Sequence, residues 1–171
     1  GDYSKADYYF TKSIEFDDIN PIIYSNYGYF KVLKLGQAKS GCKYFLQGLV
    51  QGDVRPNVYQ EFLNLLQKEN KLDVLEKEFE SVTQNDLERL NYFLSILYFY
   101  LSNMELAIST MSEYIMIHDC DISALHTLAS FHYLNRDLLK SKNLYIRILN
   151  IDSSNKLALE NIPKIDQILN T

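Results

Sequence analysis

Two stretches of this chain match each other at an offset of 34 residues. Asn91, Leu94, Ser95 and Tyr98, then Ala107, Met111 and Tyr114, are answered by Leu125, Leu128, Ala129 and His132, then Ser141, Tyr145 and Ile148. Large, small and large residues recur with nothing inserted between the copies. A self-match of this period marks stacked helical units, none of which buries its apolar face alone. Small side chains at Ser95, Ala129 and Ala107 let two helices approach closely, while Leu94, Leu128, Met111 and Tyr145 fill the space between them. The chain is therefore expected to be an array of helix hairpins.

The same pattern extends in both directions with less regularity. Residues 1–20 (Gly1, Asp2, Tyr3, Ala6, Phe10, Ser13) fit the turn and second helix of a partial repeat. That implies a chain beginning inside a larger protein, with an exposed face on its first helix. Residues 21–55 form the next repeat: Pro21 suits a first helical turn, where its missing N–H would be unpaired anyway. Tyr24, Tyr27 and Gly28 take the large and small positions, Leu35-Gly36 makes the turn, and Gly41, Phe45 and Gly48 line the second helix, with one residue inserted. Residues 56–87 are the most degenerate repeat. Tyr59, Phe62, Leu63 and Leu66 form one helix and Leu72, Leu75, Phe79 and Val82 the other, with no small residue at the crossing. Residues 88–121 and 122–155 are the matched pair, entered through a polar loop at 81–85 into a helix over 87–101. Residues 156–170 read as a capping helix, which Pro163 is expected to kink or restart. The sum is ten helices, no strands and a single domain.

The pattern resembles the tetratricopeptide repeat, whose consensus places Trp-x-x-Leu-Gly-x-x-Tyr on a first helix and Ala-x-x-x-Phe on a second, closing near a Pro. Asn91 and Leu125 stand at the Trp position, and Asp119 and Ser153 at the Pro. The resemblance implies an all-α solenoid of stacked antiparallel hairpins, a right-handed superhelix, whose first helices line a concave groove. Carried over by position, the groove residues are Ser25, Tyr29 and Leu33, then Asn57, Gln60 and Asn64, then Tyr92, Ile96 and Phe99, then His126, Ser130 and Tyr133. Chaperone-binding members clamp a terminal carboxylate with Lys and Arg in this groove. Here those places hold Ser25, Gln60, Tyr92 and His126, which argues for an extended or helical apolar segment instead.

Composition narrows the function classes. A hydrophobic content of 47% argues against disorder, and six Gly with three Pro leave little room for a turn-rich β fold. A net charge of −5 without a basic stripe makes nucleic acid a poor partner. The apolar run at 92–101 is too short for the ~20 residues that span a bilayer. His118, Asp119, Cys120 and Asp121 have ligand-like side chains, but no second pair completes a four-ligand site, and Asp there suits a helix N-cap. No phosphate-binding loop, nucleophile elbow or zinc-protease motif is present. The reading is a non-enzymatic scaffold without cofactor or metal. Cys42 and Cys120, in different repeats, are expected as unpaired, buried or half-buried thiols.

A second resemblance concerns Ile22-Ile23-Tyr24-Ser25-Asn26-Tyr27-Gly28-Tyr29-Phe30, which is similar to the Asn-Tyr-Gly-x-Phe segment of type IV pilus pilotins. Those are outer-membrane tetratricopeptide lipoproteins of bacteria that assist secretin assembly. It implies a periplasm-facing protein, held at the membrane only by a lipid upstream of Gly1, with a secretin segment as partner. The alternative is a structural repeat segment of a larger intracellular assembly, its groove filled by its own chain.

Overall fold

The computed structural model describes residues 2–17 and 19–170. Gly1 and Asp18, both assigned above to the partial repeat, lie outside the described residues. Ten helices and no strands are present among the described residues: α1 Tyr3–Phe16, α2 Pro21–Leu35, α3 Ala38–Gln51, α4 Pro56–Lys68, α5 Leu72–Phe79, α6 Gln84–Tyr100, α7 Met104–Ile117, α8 Ile122–Leu134, α9 Leu138–Ile151 and α10 Lys156–Leu169. They group into two compact units, Gly1–Phe93 and Leu94–Thr171.

The hairpins share one backbone device. Each turn from the first to the second helix of a hairpin places one residue at positive φ: Gly36 at 66°, Asn70 at 53°, Ser102 at 61° and Arg136 at 66°. The following amide donates back to the carbonyl four residues before the turn residue in three of them (Lys71 to Leu66, Asn103 to Tyr98 and Asp137 to His132) and five before it at Gly36 (Gln37 to Lys31), at 2.8–3.0 Å. This is the left-handed cap that satisfies orphan carbonyls at a helix end. Helix starts are capped as the polar residues before them suggest. Asn20, Asn103, Asp121 and Asn155 each accept a backbone N–H of the first turn at 3.0–3.2 Å.

In the first unit, α2 and α3 cross almost backbone to backbone. A Cβ on Gly28 would stand 2.5 Å from both the Gly41 carbonyl oxygen and the Phe45 amide, and one on Gly41 would stand 2.8 Å from the Gly28 carbonyl oxygen. Gly48 meets Ser25 and Pro21 in the same way. Close contact therefore offsets the ~1 kcal/mol that each helical glycine costs. Phe45 and Phe62 stack in parallel with ring centroids 3.9 Å apart, and Tyr59 donates from its hydroxyl to the Phe93 carbonyl at 2.8 Å. Cys42 is fully buried here, and burial, with Glu78 and Asp73 adding to it, pushes its thiol up to about 12. It is not a nucleophile at neutral pH.

Helix α1 is held to α2 by a polar cluster inside an aromatic one. Phe10 stacks on Tyr27 at 5.1 Å, and Tyr27 donates from its hydroxyl to Asp7 Oδ1 at 2.8 Å. Buried Lys31 donates to the same oxygen at 3.1 Å and to Gln37 Oε1 at 3.2 Å, with its ammonium 4.5 Å from the Tyr27 ring. Desolvation alone would raise the Asp7 carboxyl, but the Tyr27 hydroxyl and the Lys31 ammonium outweigh it and hold it below the usual carboxylate range. A carboxyl depressed in the folded state contributes stability above its unfolded pKa, about 3.9, and loses it as pH falls through the folded value. Asp7→Asn is thus expected to cost about 1 kcal/mol at pH 7, a figure kept small because Asp7 is part-exposed. The gap to the parent should close below about pH 4. Urea titrations at pH 7 and pH 3 read it directly; a gap that widens in acid would contradict the pairing.

In the second unit the matched small residues do what their spacing requires. Ser95, Ala107, Ala129 and Ser141 are fully buried, and Ser141 donates from its hydroxyl to the Ala129 carbonyl at 2.8 Å. Met111 is fully buried, with Leu94, Leu128 and Tyr145 nearly so.

Four expectations need correction. Helix α6 begins at Gln84, not 87, because Thr83 caps it: its Oγ1 accepts the Asp86 amide and donates to Asp86 Oδ2. Val82 lies beyond α5, which ends at Phe79. Helix α10 runs through Pro163 without restarting, the proline lying on an exposed side with helix continuing to Leu169. Cys120 is exposed in the α7–α8 turn, where no neighbour covers it.

Candidate functional site

The positions assigned to the groove fall on the first helices of the hairpins, and each unit presents its own set. In the first unit, Tyr29 is half-buried with its ring 6.1 Å from that of Phe62, and Leu33 stands 46% exposed beyond it on α2. Asn57, Gln60 and Asn64 are exposed on α4. Tyr92 is half-buried on α6, edge-on to Phe93 at 5.4 Å. Ser25 does not belong with them. It is fully buried against Gly48 and donates to the Pro21 carbonyl at 3.3 Å. With glycine opposite, the two helices close until this position is sealed between them.

In the second unit, Ile96 is half-buried and Phe99 is 36% exposed, its ring stacked on Phe131 at 5.2 Å and an interplanar angle of 20°. Phe131 itself is buried, so the exposed edge of Phe99 rests on a fixed base. Tyr133 is 40% exposed at the end of α8, next to Leu134 at 55%. Ser130 is exposed and donates to the His126 carbonyl of its own helix, so its acceptor lone pairs face outward. His126 is half-buried, with Nε2 3.0 Å from Asn155 Oδ1 and its ring 5.7 Å from that of Tyr145. Asn155 is the N-cap of α10, so His126 ties that helix to α8. Its role in positioning α10 could not be read from the sequence, since the partner lies 29 residues away.

The chemistry of the second surface is unusual for exposed helices. Residues 94–100 and the whole of α8 contain no Asp, Glu, Lys or Arg. A surface of Phe, Tyr, Ile, Leu and Ser offers shape, aromatic faces and hydroxyls, with no fixed charge to steer an ionic ligand. Among the described residues no group of three His, Cys, Asp or Glu side chains is placed to hold a metal ion, and no helix is long and apolar enough to cross a membrane.

No protein-family profile matches the chain, and no curated protein matches it in sequence. Solved structures do match in shape. The first TPR of Spaghetti (RPAP3), bound to the HSP90 peptide SRMEEVD, superposes with a TM-score of 0.52 at 20% identity, over 67% of this chain and 95% of that one. YrrB, a TPR protein with an unusual peptide-binding site, superposes with a TM-score of 0.53 at 15% identity, over 93% of this chain and 82% of that one. At these identities the likeness establishes the fold: all-α, of the tetratricopeptide-repeat type.

Proposed function

We propose that this chain, a tetratricopeptide-repeat fold, is a non-enzymatic scaffold that holds a neutral, apolar protein segment against α8 and the neighbouring end of α6. The observation that carries the reading is the absence of any charged residue from α8 and from residues 94–100, combined with the exposure of Phe99, Tyr133 and Leu134. The two peptide-binding structures of the same shape support a peptide as the kind of ligand. The acidic SRMEEVD peptide of one of them would meet no cation on this surface. Rigid aromatic anchors lose little side-chain entropy on binding and account for most hot spots.

Panning a displayed peptide library against the chain tests this. Enriched peptides should be rich in Leu, Ile, Phe and Met and poor in acidic residues. The double variant Phe99→Ala, Tyr133→Ala should bind them about tenfold or more weakly with helical content unchanged. Met116→Ala, which removes an 82% exposed apolar side chain on α7, should bind normally. Peptides that bind the double variant as tightly as the parent would overturn the assignment.

A narrower reading places the protein in secretin assembly as a pilotin-like, periplasm-facing lipoprotein of the bacterial outer membrane. Its support is the Asn26-to-Phe30 resemblance. Tyr27 and Gly28 in that segment are demanded by packing: Tyr27 is 2% exposed beneath Phe10, and Gly28 lies against the α3 backbone. Asn26 and Tyr29, the less constrained members, therefore carry what specific weight the resemblance has. Co-purification of a secretin segment with the chain, lost on Tyr29→Ala, is the expected result.

A further inference from the structure

The polar side chains in the middle of α8 turn their hydrogens inward. Thr127 donates from its hydroxyl to the Ser123 carbonyl at 2.8 Å, and Ser130 to the His126 carbonyl at 2.9 Å. A hydroxyl has a single hydrogen, so each of these offers only acceptor lone pairs to whatever lies above the helix. His126 is in the same state. Its Nε2 faces Asn155 Oδ1 at 3.0 Å, and that oxygen already accepts the Ala158 amide at 3.1 Å, which fixes it as an acceptor. The imidazole therefore gives its N–H to Asn155, and Nδ1 of the neutral ring is a bare acceptor. Three neighbouring side chains thus accept hydrogen bonds and donate none outward.

A wholly apolar segment laid over this row would strip water from the acceptors and return nothing, and a buried acceptor without a donor is costly. The segment must bring donors of its own. Neither α8 nor residues 94–100 carry a carboxylate to balance the desolvation of an ammonium or guanidinium group, so the donor is neutral. A carboxylate on the segment fits worse still, since it sets acceptor against acceptor. Thr127 and Ser130 lie three apart on the helix, which puts their Cβ atoms about 5–6 Å from each other. A primary amide carries two hydrogens on one nitrogen and spans that gap, one hydrogen to each oxygen. A hydroxyl, an indole or a backbone amide has one, and leaves an acceptor dry. Resting on the docking surface proposed above, we infer that its apolar occupant carries a Gln or Asn whose amide nitrogen sits between Thr127 and Ser130. One turn further on, the exposed Tyr133 and Leu134 give the apolar neighbours of that amide a floor.

Peptides enriched from the displayed library should hold one Gln or Asn at a fixed distance from their apolar anchors. In a Gln peptide from that pool, Gln→Met keeps the length, removes both donors and should bind about tenfold more weakly. Gln→Glu should bind more weakly again. On the protein, Thr127→Val and Ser130→Ala should each weaken the Gln peptide about threefold or more and leave the Met peptide unchanged. A disturbed surface would weaken both peptides alike. The two hydroxyls bond only carbonyls of their own helix, so circular dichroism should show unchanged helix. Binders that lack an amide overturn the inference and leave the docking surface standing. So does a Gln peptide indifferent to Gln→Met, or a pair of protein variants that weaken both peptides equally. A library that yields no binder at all takes down the docking surface and this inference together.

Discussion

Gly28→Val is expected to destabilise the Gly1–Phe93 unit by about 3 kcal/mol or more. Two effects oppose each other. Valine is a slightly better helix former than glycine, by less than ~1 kcal/mol. Against that, its first side-chain carbon falls 2.5 Å from a carbonyl oxygen and an amide nitrogen of α3. Both are backbone atoms, which cannot rotate out of the way as a flexible side chain would. The crossing must open, and opening it exposes Phe45, Leu46 and Leu49, which are all nearly or fully buried on the facing helix. Overpacking therefore outweighs propensity. Gly36→Ala makes the contrast: nothing lies within 4 Å of a Cβ there, and only the φ of 66° resists, at a cost of about 1 kcal/mol. Urea unfolding of the two variants separates a steric glycine from a conformational one. Equal losses would show that α2 and α3 do not meet as closely as described.

The same two glycines show which parts of the fold can be read from the chain. Close crossings are legible because they demand small residues, and Gly28, Ser95 and Ala129 recur where the helices touch. The turns are half legible. Gly36 announces a left-handed residue and Asn70 permits one, but Ser102 and Arg136 take the same conformation with no signal in their side chains. There the repeat imposes the turn and the local sequence merely tolerates it. Capping decided the start of α6, where Thr83 and Asp86 satisfy each other before the apolar periodicity begins.

The surface is legible in proportion to how little tertiary contact it makes. Phe99, Ser130 and Tyr133 are exposed where their register places them. Ser25 and His126 share one register position, yet Ser25 is swallowed by a glycine crossing and His126 is bonded to the cap of α10. Neither neighbour could be foreseen from spacing alone. Asp7 and Lys31 belong to the same class. A charged pair joining α1 to the aromatic cluster around Tyr27 has no local signature, and it stands where the repeat pattern calls for a large apolar residue.

Leu63 gives the most demanding test of packing over pattern. It occupies the place that Gly28, Ser95 and Ala129 hold in the other hairpins, so replacing it with alanine makes the sequence more regular. If the pattern alone set stability, Leu63→Ala would be neutral or favourable, since alanine is also the better helix former. The structure says otherwise. Leu63 is fully buried, as are Phe62 and Leu66 beside it and Leu75 on α5. Helix α5 is only eight residues long, and the first unit here is filled by large side chains, with Phe45 and Phe62 stacked face to face. Removing three carbons from such a site leaves a cavity that the aromatic rings cannot close, at a cost of about 2–5 kcal/mol. Leu63→Gly should lose about 1 kcal/mol more through helix propensity. The measurement is the urea midpoint of each variant at constant m-value. A Leu63→Ala protein as stable as its parent would mean that this hairpin closes on a small residue like the others.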